Sequence, residues 1–398
     1  MLRRAALACC LALLTACDSG KDGVADSAWH RKDLGAHLAR WLAVAPTPSG
    51  LMQAQFDRSW HATNAGGDLT LHSRLVYVMA IGFEASGDQR YLAAARKGAD
   101  FLLEHFRDPQ YGGFFHRVDA EGKVLAAHKN TYGHAFALLA LSHLARVSGE
   151  PKYKAAALQA WRDIRNGLRE EQGGLRPEAP RDFAPGRGNH TQNPLMHMFE
   201  ALLALIEATG DASVVDDARA LGDFVLYRLL VGLPDGGAYI PEWYDADWKP
   251  LAGEDGYIDL GHQFEWSHLL RTAEKRGLPP LYAEVAERLL KYAVAQGYDE
   301  QDGGIFNRVH ASGKVDRSKL WWQQAEGMRA FLAAGARPEM ARRYREALGL
   351  VDQEFLDRDN GGWYLGSKRS CGIDHCGNSQ PDPYHLVGLD WMALSTQR

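Results

Sequence analysis

The fold is decided by helices that end at a glycine and turn back, and residues 197–211 show the pattern: His197-Met-Phe-Glu-Ala-Leu-Leu-Ala-Leu-Ile-Glu-Ala-Thr-Gly210-Asp211. Apolar residues recur at helical spacing up to Gly210, and a second helical pattern starts directly after Asp211. A glycine just past a helix end supplies the left-handed residue that caps the helix. Because the connection is short, the two helices must lie antiparallel as a hairpin.

Glycines repeat along the chain in two parallel series. The first series is a Gly-Gly pair followed by an apolar residue, at residues 112–114, 173–175, 236–238, 303–305 and 361–363. The second series consists of the helix-ending glycines Gly87, Gly149, Gly210, Gly277 and Gly335. The steps are 61, 63, 67 and 58 residues in the first series and 62, 61, 67 and 58 in the second. Since both series keep the same spacing, the chain is a set of repeated hairpins.

Apolar periodicity predicts twelve helices. They are expected near residues 30–44, 71–86, 88–106, 132–147, 151–168, 192–209, 213–230, 260–276, 279–296, 319–334, 338–354 and 384–396. Five hairpins contain a glycine turn, and the last helix can pair with the first to make a sixth. Segments between hairpins, such as residues 113–118, have a strand-like pattern, so short β-ribbon loops should cluster at one end.

A string of hairpins forms either an open solenoid or a closed ring. The helices that start near residues 71, 132, 192, 260, 319 and 384 carry His, Trp, Arg, Gln and Glu among their apolar residues. Such a mixture suits inner helices that line a polar funnel, whereas a sealed core would not tolerate it. We therefore predict an all-α fold, an (α/α)6 barrel that spans residues 30–398.

The composition is that of an ordinary globular protein, with 46% hydrophobic and 24% charged residues. The formal net charge is −5, and it becomes −7 if the segment that carries Arg3 and Arg4 is removed. A nucleic-acid partner is disfavoured, because binding phosphate backbones needs a basic face. The sequence contains no phosphate-binding Gly-Lys-Ser/Thr segment, dinucleotide-binding glycine turn or His-Glu-x-x-His pattern. We therefore predict that the protein uses neither a cofactor nor a metal.

The N-terminus has the pattern of an export signal, in which Arg3 and Arg4 precede an apolar stretch over residues 5–14. This stretch is too short to span a bilayer, which needs about 20 apolar residues. The residues Leu-Thr-Ala-Cys17 resemble the lipobox of bacterial lipoproteins. The resemblance implies a signal peptide over residues 1–16 and a lipid on Cys17, and an ordinary signal peptide is the alternative.

Residues 17–29 are rich in Asp, Gly, Ser and Lys and suit a solvated tether. The mature chain is then expected on the periplasmic face of a bacterial membrane, attached through its lipid alone. Asp18 follows the anchor cysteine, and by resemblance to the proteobacterial sorting rule it favours the inner membrane.

Cys371 and Cys376 are the cysteines that remain once the signal is removed and Cys17 is acylated. In an oxidising compartment, two cysteines five positions apart in a glycine-containing loop are expected to form a disulfide. A metal site is the alternative, because Asp374 and His375 lie between them. Two cysteines and one histidine at this spacing make a poor zinc ligand set without distant help.

Several polar and aromatic side chains are expected at one mouth of the ring. Counting back 13 residues from the hairpin glycines gives residues of similar depth, namely Arg74, Phe136, His197, Phe264 and Trp322. His134 and His262 lie two residues earlier on their helices, and His385 opens the last helix. Histidine can give or take a proton near neutral pH, so the cluster indicates proton transfer. The alternative for each is a hydrogen-bonded core histidine.

Aromatic and polar neighbours of these histidines suit a sugar. Trp321 and Trp322 offer apolar faces to the C–H face of a pyranose, and Arg74 and Gln263 can bond its hydroxyls. Packing at helix junctions is the alternative for the tryptophans.

Four segments resemble the signatures of the N-acylglucosamine 2-epimerase family, which includes cellobiose 2-epimerases and mannose-type aldose–ketose isomerases. They are residues 192–197, 261–266, 319–326 and 383–385. The resemblance runs from about residue 30 to the end of the chain, and it implies the same barrel. It also implies a cofactor-free reaction at carbon 2 of a mono- or oligosaccharide.

The resemblance implies that a histidine helps to open the sugar ring, a base removes the proton on carbon 2, and a histidine returns a proton to the enediolate. His262 and His385 would be the acid/base pair, and His197 would assist ring opening or bind the substrate. The residues expected to bind the substrate or orient the histidines are Arg74, Asn193, Trp321, Trp322, Glu265, Glu326 and His134. Gly388 is a departure, since family members often have an arginine three residues after the last histidine.

Two other classes of function share this barrel. A glycan-cleaving enzyme needs placed carboxylates, usually a pair, and the candidates are Asp255, Asp259, Glu265 and Glu326. A non-catalytic sugar-binding lipoprotein would fit if Gly388 marks decay of the site. The three matched histidine segments favour an epimerase or isomerase.

Overall fold

The computed structural model describes residues 26–371 and 377–396. Their helices are α1 Ser27–Val44, α2 Leu69–Ser86, α3 Gln89–Phe101, α4 Thr131–Ser148, α5 Pro151–Leu168, α6 Asn193–Thr209, α7 Ala212–Phe224, α8 Leu260–Lys275, α9 Leu281–Gly297, α10 Trp321–Ala333, α11 Pro338–Glu354, the short α12 Lys368–Cys371, and α13 Tyr384–Ser395. The predicted signal peptide, the lipid-bearing Cys17 and Cys376 of the predicted disulfide lie outside the described residues.

The long helices form six hairpins that close into a ring. Five hairpins join consecutive helices, from α2–α3 to α10–α11, and the sixth pairs α13 with α1. The inner helices α2, α4, α6, α8, α10 and α13 each contact the next, and α13 contacts α2. This closed ring confirms the predicted (α/α)6 barrel.

Three of the five hairpin glycines cap their helices as predicted, whereas Gly277 and Gly335 lie one residue beyond the caps Arg276 and Ala334. Gly87, Gly149 and Gly210 follow α2, α4 and α6 with φ of 72°, 69° and 65°. Each donates its backbone N–H to the carbonyl four residues earlier. The left-handed φ reverses the chain at these three turns, because glycine carries no Cβ to oppose it.

Several helix boundaries differ from the periodicity. Helix α1 begins at Ser27, three residues earlier than predicted, because the Asp26 side chain accepts hydrogen bonds from the backbone of Ala28 and Trp29. The predicted tether therefore ends before residue 27. Helices α3 and α7 each finish in a π-helical turn, at Leu102–Phe106 and Val225–Leu229.

Short strands form the predicted loops between hairpins. They are β1 Gly67–Asp68, β2 Arg117–Val118, β3 Val124–Ala126, β4 Lys129–Asn130, β5 Glu178–Ala179, β6 His190–Thr191, β7 Val231–Gly232, β8 Ala238–Tyr239, β9 Trp243–Tyr244, β10 Ile258–Asp259, β11 Arg308–Val309 and β12 Val315–Asp316. All pairs are antiparallel, in the orders β1-β2-β3, β10-β11-β12, β4-β5, β6-β9 and β7-β8. Strands β1, β4, β6 and β10 lead into α2, α4, α6 and α8, so the ribbons gather at the N-terminal ends of the inner helices.

The apolar core fills the space between the inner and outer helices, with Trp41, Trp266 and Tyr282 among its fully buried side chains. Burial of such large rings supplies much of the stabilisation of the ring. A search of the described helices finds none that combines the length and the apolar character needed to cross a bilayer.

Candidate active site

The predicted site residues lie in the first turns of the inner helices. His262 is the third residue of α8, His385 the second of α13, and Trp322 the second of α10. The β ribbons surround the same ends, so these side chains share the mouth of the barrel. Helix N-termini carry partial positive charge, which favours a reaction that develops negative charge there.

His262 is held as a cation by carboxylates. Its Nδ1 donates to Glu242 Oε2 at 2.7 Å, and the Gln192 amide donates to the same oxygen at 2.8 Å. Burial opposes the charge on the ring, but the nearby carboxylates of Glu242 and Asp259 prevail and raise the pKa of His262 to about 10. At neutral pH this histidine is a proton donor.

His385 has the opposite protonation. Its Nδ1 donates to Glu326 Oε1 at 2.7 Å. Burial nevertheless lowers the pKa of His385, so its ring is neutral at pH 7 and able to accept a proton. The ring of Trp322 lies beside both histidines, with centroids 4.9 Å from His262 and 5.6 Å from His385, and Trp321 lies 5.5 Å from His385.

His197 lies on α6 between aromatic rings. Its Nδ1 is 3.3 Å from Glu200 Oε2, and Glu200 also accepts a hydrogen bond from the Tyr384 hydroxyl. Burial lowers the pKa of His197 to about 4, so its ring is neutral. The ring is 4.7 Å from that of Phe136 and 6.4 Å from that of His385.

The three predicted histidines share one arrangement, in which Nδ1 contacts a buried glutamate. The pairs are His262 with Glu242, His385 with Glu326 and His197 with Glu200. Within the described residues no hydrogen bond engages the Nε2 atom of any of the three. A glutamate on Nδ1 fixes the tautomer and leaves Nε2 for proton exchange.

Arg74 is a fixed cation beside this cluster. Its Nη1 donates to Asp382 Oδ2 at 2.9 Å and its Nη2 to the Tyr132 hydroxyl at 2.7 Å. The guanidinium lies 4.1 Å from the centroid of the Phe136 ring. Although burial disfavours the charge, Asp382 keeps the pKa of Arg74 above its usual value.

The predicted glutamates differ in their partners. Glu326 accepts hydrogen bonds from His385, His268 and Arg329, and despite burial they keep its pKa well below the usual range. Glu265 is fully buried, and neither of its oxygens has a hydrogen-bond partner among the described residues. Burial and the nearby charge of Glu326 raise the pKa of Glu265 well above its usual value. Glu265 therefore holds a proton more tightly than an ordinary carboxyl, and its Oε1 lies 3.8 Å from His197 Nδ1.

Asn193 has a free acceptor, because its buried Oδ1 has no partner in the described part of the chain. His134 differs: its Nε2 accepts from the Phe114 backbone, and its Nδ1 donates to the Asn130 carbonyl. The side-chain amide of Gln263 is likewise engaged by the backbone: its oxygen accepts from the Ile240 N–H and its nitrogen donates to the Ile240 carbonyl. Neither nitrogen of His134 is free to bond a sugar hydroxyl, so His134 is not part of the proposed site.

Four partners of the site were not expected from the sequence: Glu200, Glu242, Arg329 and Asp382. Glu200 follows His197 by three residues on one helix, a spacing that brings side chains together and could have identified it. Glu242 and Asp382 lie in loops, where no periodicity points to a partner. Gly388 faces the Arg329 guanidinium, at 3.5 Å from a Cβ built on the glycine.

Two groups of residues have ligand atoms within 4.8 Å of one another: His197 with Glu200 and Glu265, and Glu265 with Glu326 and His385. Such groups are able to hold a metal ion. The Arg329 guanidinium donates to Glu326 and lies 4.0 Å from Glu200, so a cation already neutralises charge here. Metal independence stays a prediction.

A cavity of about 670 Å³ opens beside His262, a volume typical of small-molecule sites. Its lining includes Tyr132, Asn193, Glu242, Trp243, Tyr257 and His262. The cavity therefore joins the predicted residues of α6 and α8 to the β-ribbon loops.

Comparison with known proteins shows which family this chain resembles. The sequence model of the N-acylglucosamine 2-epimerase (GlcNAc 2-epimerase) family matches residues 52–388. The chain is 26% identical to a cellobiose 2-epimerase of Ruminococcus albus over 74% of this chain and 78% of that protein. It is 30% identical to a D-mannose isomerase of Thermobifida fusca, over 74% and 76%. The structure of cellobiose 2-epimerase from Bacillus thermoamylovorans is similar, with a TM-score of 0.84, 20% identity and coverage of 93% and 99%.

Proposed function

Because the chain belongs to the N-acylglucosamine 2-epimerase family, we propose that its histidines move the proton on carbon 2 of a reducing sugar. The protein is a carbohydrate epimerase or isomerase. One observation carries the assignment of roles: His262 and His385 both lie beside the ring of Trp322 and have pKa values shifted in opposite directions. Groups held in opposite protonation states at one pH can act as acid and base.

In the proposed reaction, neutral His385 accepts the proton from carbon 2 of the open-chain sugar. The electron pair of the broken C–H bond forms the C1–C2 double bond, and the carbonyl oxygen takes up the negative charge. Cationic His262 donates to that oxygen, and the positive charge of Arg74 stabilises the enediolate. His197, neutral and held by Glu200, assists ring opening.

The fate of the enediolate decides the product. A proton returned to the opposite face of carbon 2 gives the epimer, and a proton delivered to carbon 1 gives the ketose. Both outcomes use the same first step.

The glycan-cleaving alternative has weaker support. Its four candidate carboxylates would have to supply an acid and a second free carboxylate. Glu326 already accepts hydrogen bonds from three side chains, and Asp259 caps α8 through the His262 backbone. Asp255 is exposed in the loop before β10. Among the four candidates, Glu265 is therefore left without a second free carboxylate with which to catalyse hydrolysis.

The cavity supports a substrate longer than one sugar ring. Trp243 and Tyr257 line it from the loops, and the Trp243 indole donates to the Tyr257 hydroxyl at 3.2 Å. An aromatic rim of this kind stacks on the apolar face of a second pyranose. We expect Trp243→Ala to raise KM for cellobiose about tenfold and to leave KM for mannose within about twofold.

The test of the function is isotope exchange. The protein is incubated in deuterated water with free mannose, glucose, N-acetylglucosamine or cellobiose, and deuterium at carbon 2 is measured by NMR. We expect incorporation into at least one sugar, reduced by about 100-fold or more in His262→Gln and His385→Gln.

His143→Gln is the matched control. His143 is a buried histidine that also pairs with a glutamate, Glu84, but it lies at the other end of the inner helices. The control should keep its exchange rate. Hydrolysis of a glycan without exchange would contradict the proposal. Loss of activity on exhaustive chelation, restored by a divalent ion, would contradict metal independence.

We also propose that the chain is exported and anchored through a lipid on Cys17. The lipobox-like residues before Cys17 support this. Cells fed a labelled fatty acid should incorporate label into the wild-type chain and none into Cys17→Ser. A wild-type chain that stays unlabelled in the soluble cell fraction would reject the proposal.

A further inference from the structure

Arg329 lies on α10 one turn after Glu326, and it is only 9% exposed. Its Nη1 lies 2.9 Å from Glu326 Oε1 and 3.2 Å from Oε2. The same carboxylate accepts hydrogen bonds from His385 Nδ1 and His268 Nε2, each at 2.7 Å. The guanidinium therefore compensates the buried negative charge on the group that holds His385.

Gly388 lies beside this guanidinium. It lies on α13 one turn after His385, and a Cβ built on it would be 3.5 Å from Arg329 Nη1 and 3.6 Å from Cζ. These are ordinary van der Waals distances, and the two residues also line one cavity of about 370 Å³. Arg329 thus packs against the helix that carries His385 while it bonds the carboxylate that orients His385.

We propose that Arg329 is a positioning residue for proton transfer at His385, acting through Glu326. The inference rests on the proposed function, because that function makes His385 the base. Removing a fixed positive charge favours proton binding at every neighbouring site. Without Arg329, the pair of His385 and Glu326 would hold an extra proton at neutral pH, and His385 could no longer accept one.

The charged and titratable groups around this pair come from several elements. They are Arg74 on α2, His197 and Glu200 on α6, Glu265 and His268 on α8, Arg329 on α10, and Asp382 and Tyr384 at the start of α13. Among the described arginines and lysines, Arg329 is the one that hydrogen-bonds Glu326.

The principal variant is Arg329→Met, which keeps the length of the side chain and removes its charge. We expect kcat at pH 7 to fall about 10- to 100-fold, the loss that follows removal of a charged hydrogen-bond partner, with KM within about twofold. The acid limb of the kcat–pH profile should move up by about one to two pH units, the equivalent of that loss. Arg329→Lys keeps the charge and should leave the limb near its wild-type position.

Arg276→Met is the matched control. Arg276 lines the same cavity of about 370 Å³ as Arg329 and Gly388, at the C-terminal ends of the inner helices. It pairs with Glu207 and contacts none of the three histidine–glutamate pairs. Its profile should match that of the wild type.

A second measurement needs no substrate. Histidine-selective labelling and NMR follow the titration of His385, assigned from the spectrum of His385→Gln. Arg329→Met should raise the pH at which the His385 signal titrates. If the wild type exchanges deuterium into no sugar, the proposed function fails, yet this titration still tests Arg329. A folded Arg329→Met with unchanged titration and unchanged pH profile would overturn the inference.

The ion pair of Arg329 and Glu326 also provides a test that does not depend on the stability of Arg329→Met. Glu326→Gln is compared with the double variant Glu326→Gln, Arg329→Met, in which neither buried charge remains. Because Arg329 acts through Glu326, the second substitution should change kcat by less than about twofold. A further loss as large as that in the single variant would overturn the inference.

Discussion

At the scale of single residues, the surroundings of His262 and His385 give one side-chain type two roles. Both rings are buried and each bonds a glutamate through Nδ1. His262 faces an additional carboxylate, Asp259, whereas the charge of Glu326 is already neutralised by Arg329. The balance of carboxylates therefore decides which histidine is charged.

The opposite shifts predict a bell-shaped dependence of kcat on pH. His385 must be neutral, so activity falls as pH drops through its pKa, which is lowered from 6.5. His262 must be charged, so activity falls as pH rises through about 10. Rates measured from pH 4 to pH 11 check both limbs. An alkaline limb near neutrality would contradict the assignment of His262 as the acid.

Substitution of the His262 partner should move one limb alone. In Glu242→Gln the carboxylate that raises the pKa of His262 is lost, so the alkaline limb should shift to lower pH and kcat at pH 8 should fall about 100-fold. The acid limb should stay in place. Glu84→Gln, which removes a glutamate from His143, is the control, and equal effects of the two variants would contradict the role of Glu242.

At the scale of the elements, the glycines serve two purposes. Gly87, Gly149 and Gly210 cap helices in open space, and no atom lies within 4 Å of a Cβ built on any of them. The loop glycine Gly113 combines a φ of 63° with close packing, because a Cβ there would be 2.7 Å from His134 Nε2. The His134 side chain thus holds the β-ribbon loop to α4.

This contrast predicts unequal costs for alanine. Gly87→Ala should lower the free energy of unfolding by about 1–2 kcal/mol, the cost of a left-handed φ in a residue with a Cβ. Gly113→Ala should cost about 1–3 kcal/mol more, because it also disturbs the hydrogen bond between His134 and the Phe114 backbone. Chemical denaturation measures both values, and equal costs would show that His134 yields without penalty.

The count of 13 residues back from each hairpin glycine misplaced one residue. Phe264 was expected in the funnel, but it is fully buried and packs against Phe331, with ring centroids 5.5 Å apart. Helix α8 ends at Lys275 with Arg276 as its cap, so Gly277 lies one residue further from the helix than Gly210 does from α6. Gly335 has the same offset from α10, yet Trp322 lies in the site, so the offset alone does not displace a residue; Phe264 instead fills the contact between α8 and α10.

At the scale of the whole molecule, buried histidines link the ring together. His30 on α1 contacts Asp390 on α13 at 2.6 Å and the hydroxyl of Tyr344 on α11, which joins the first and last helices. Four buried histidines have pKa values lowered to about 4, mainly by burial: His30, His72, His134 and His197. All four are neutral in the folded barrel at pH 7.

These histidines predict that the fold weakens in mild acid. Their folded pKa values lie below the unfolded value of 6.5, so their contribution is present above pH 6.5 and is lost as pH falls toward 4. Each contributes a slope of about 1.4 kcal/mol per pH unit in that window. Unfolding free energies measured by denaturation from pH 4 to pH 7 test this. His72→Gln should reduce the slope by about one proton, and an unchanged slope would contradict the burial argument.

The repeat and the histidine segments were readable from the sequence, because both are local. Glycine caps and apolar spacing determine each hairpin within a few dozen residues, and the match of the first helix to the last followed from the count. His197, His262 and His385 stood out because they open inner helices at the same end. His134 also lies near the start of an inner helix, as the site histidines do, but both of its ring nitrogens bond the backbone.

Only the tertiary structure decided the protonation states of those histidines. Glu242 and Asp382 reach the site from loops, 20 residues before His262 and 308 after Arg74 in the chain, and no local pattern marks them. Arg329 and Gly388 belong to different helices and meet only when the ring closes. A pKa depends on burial and on charges within a few ångströms, and those distances are set by the closed barrel.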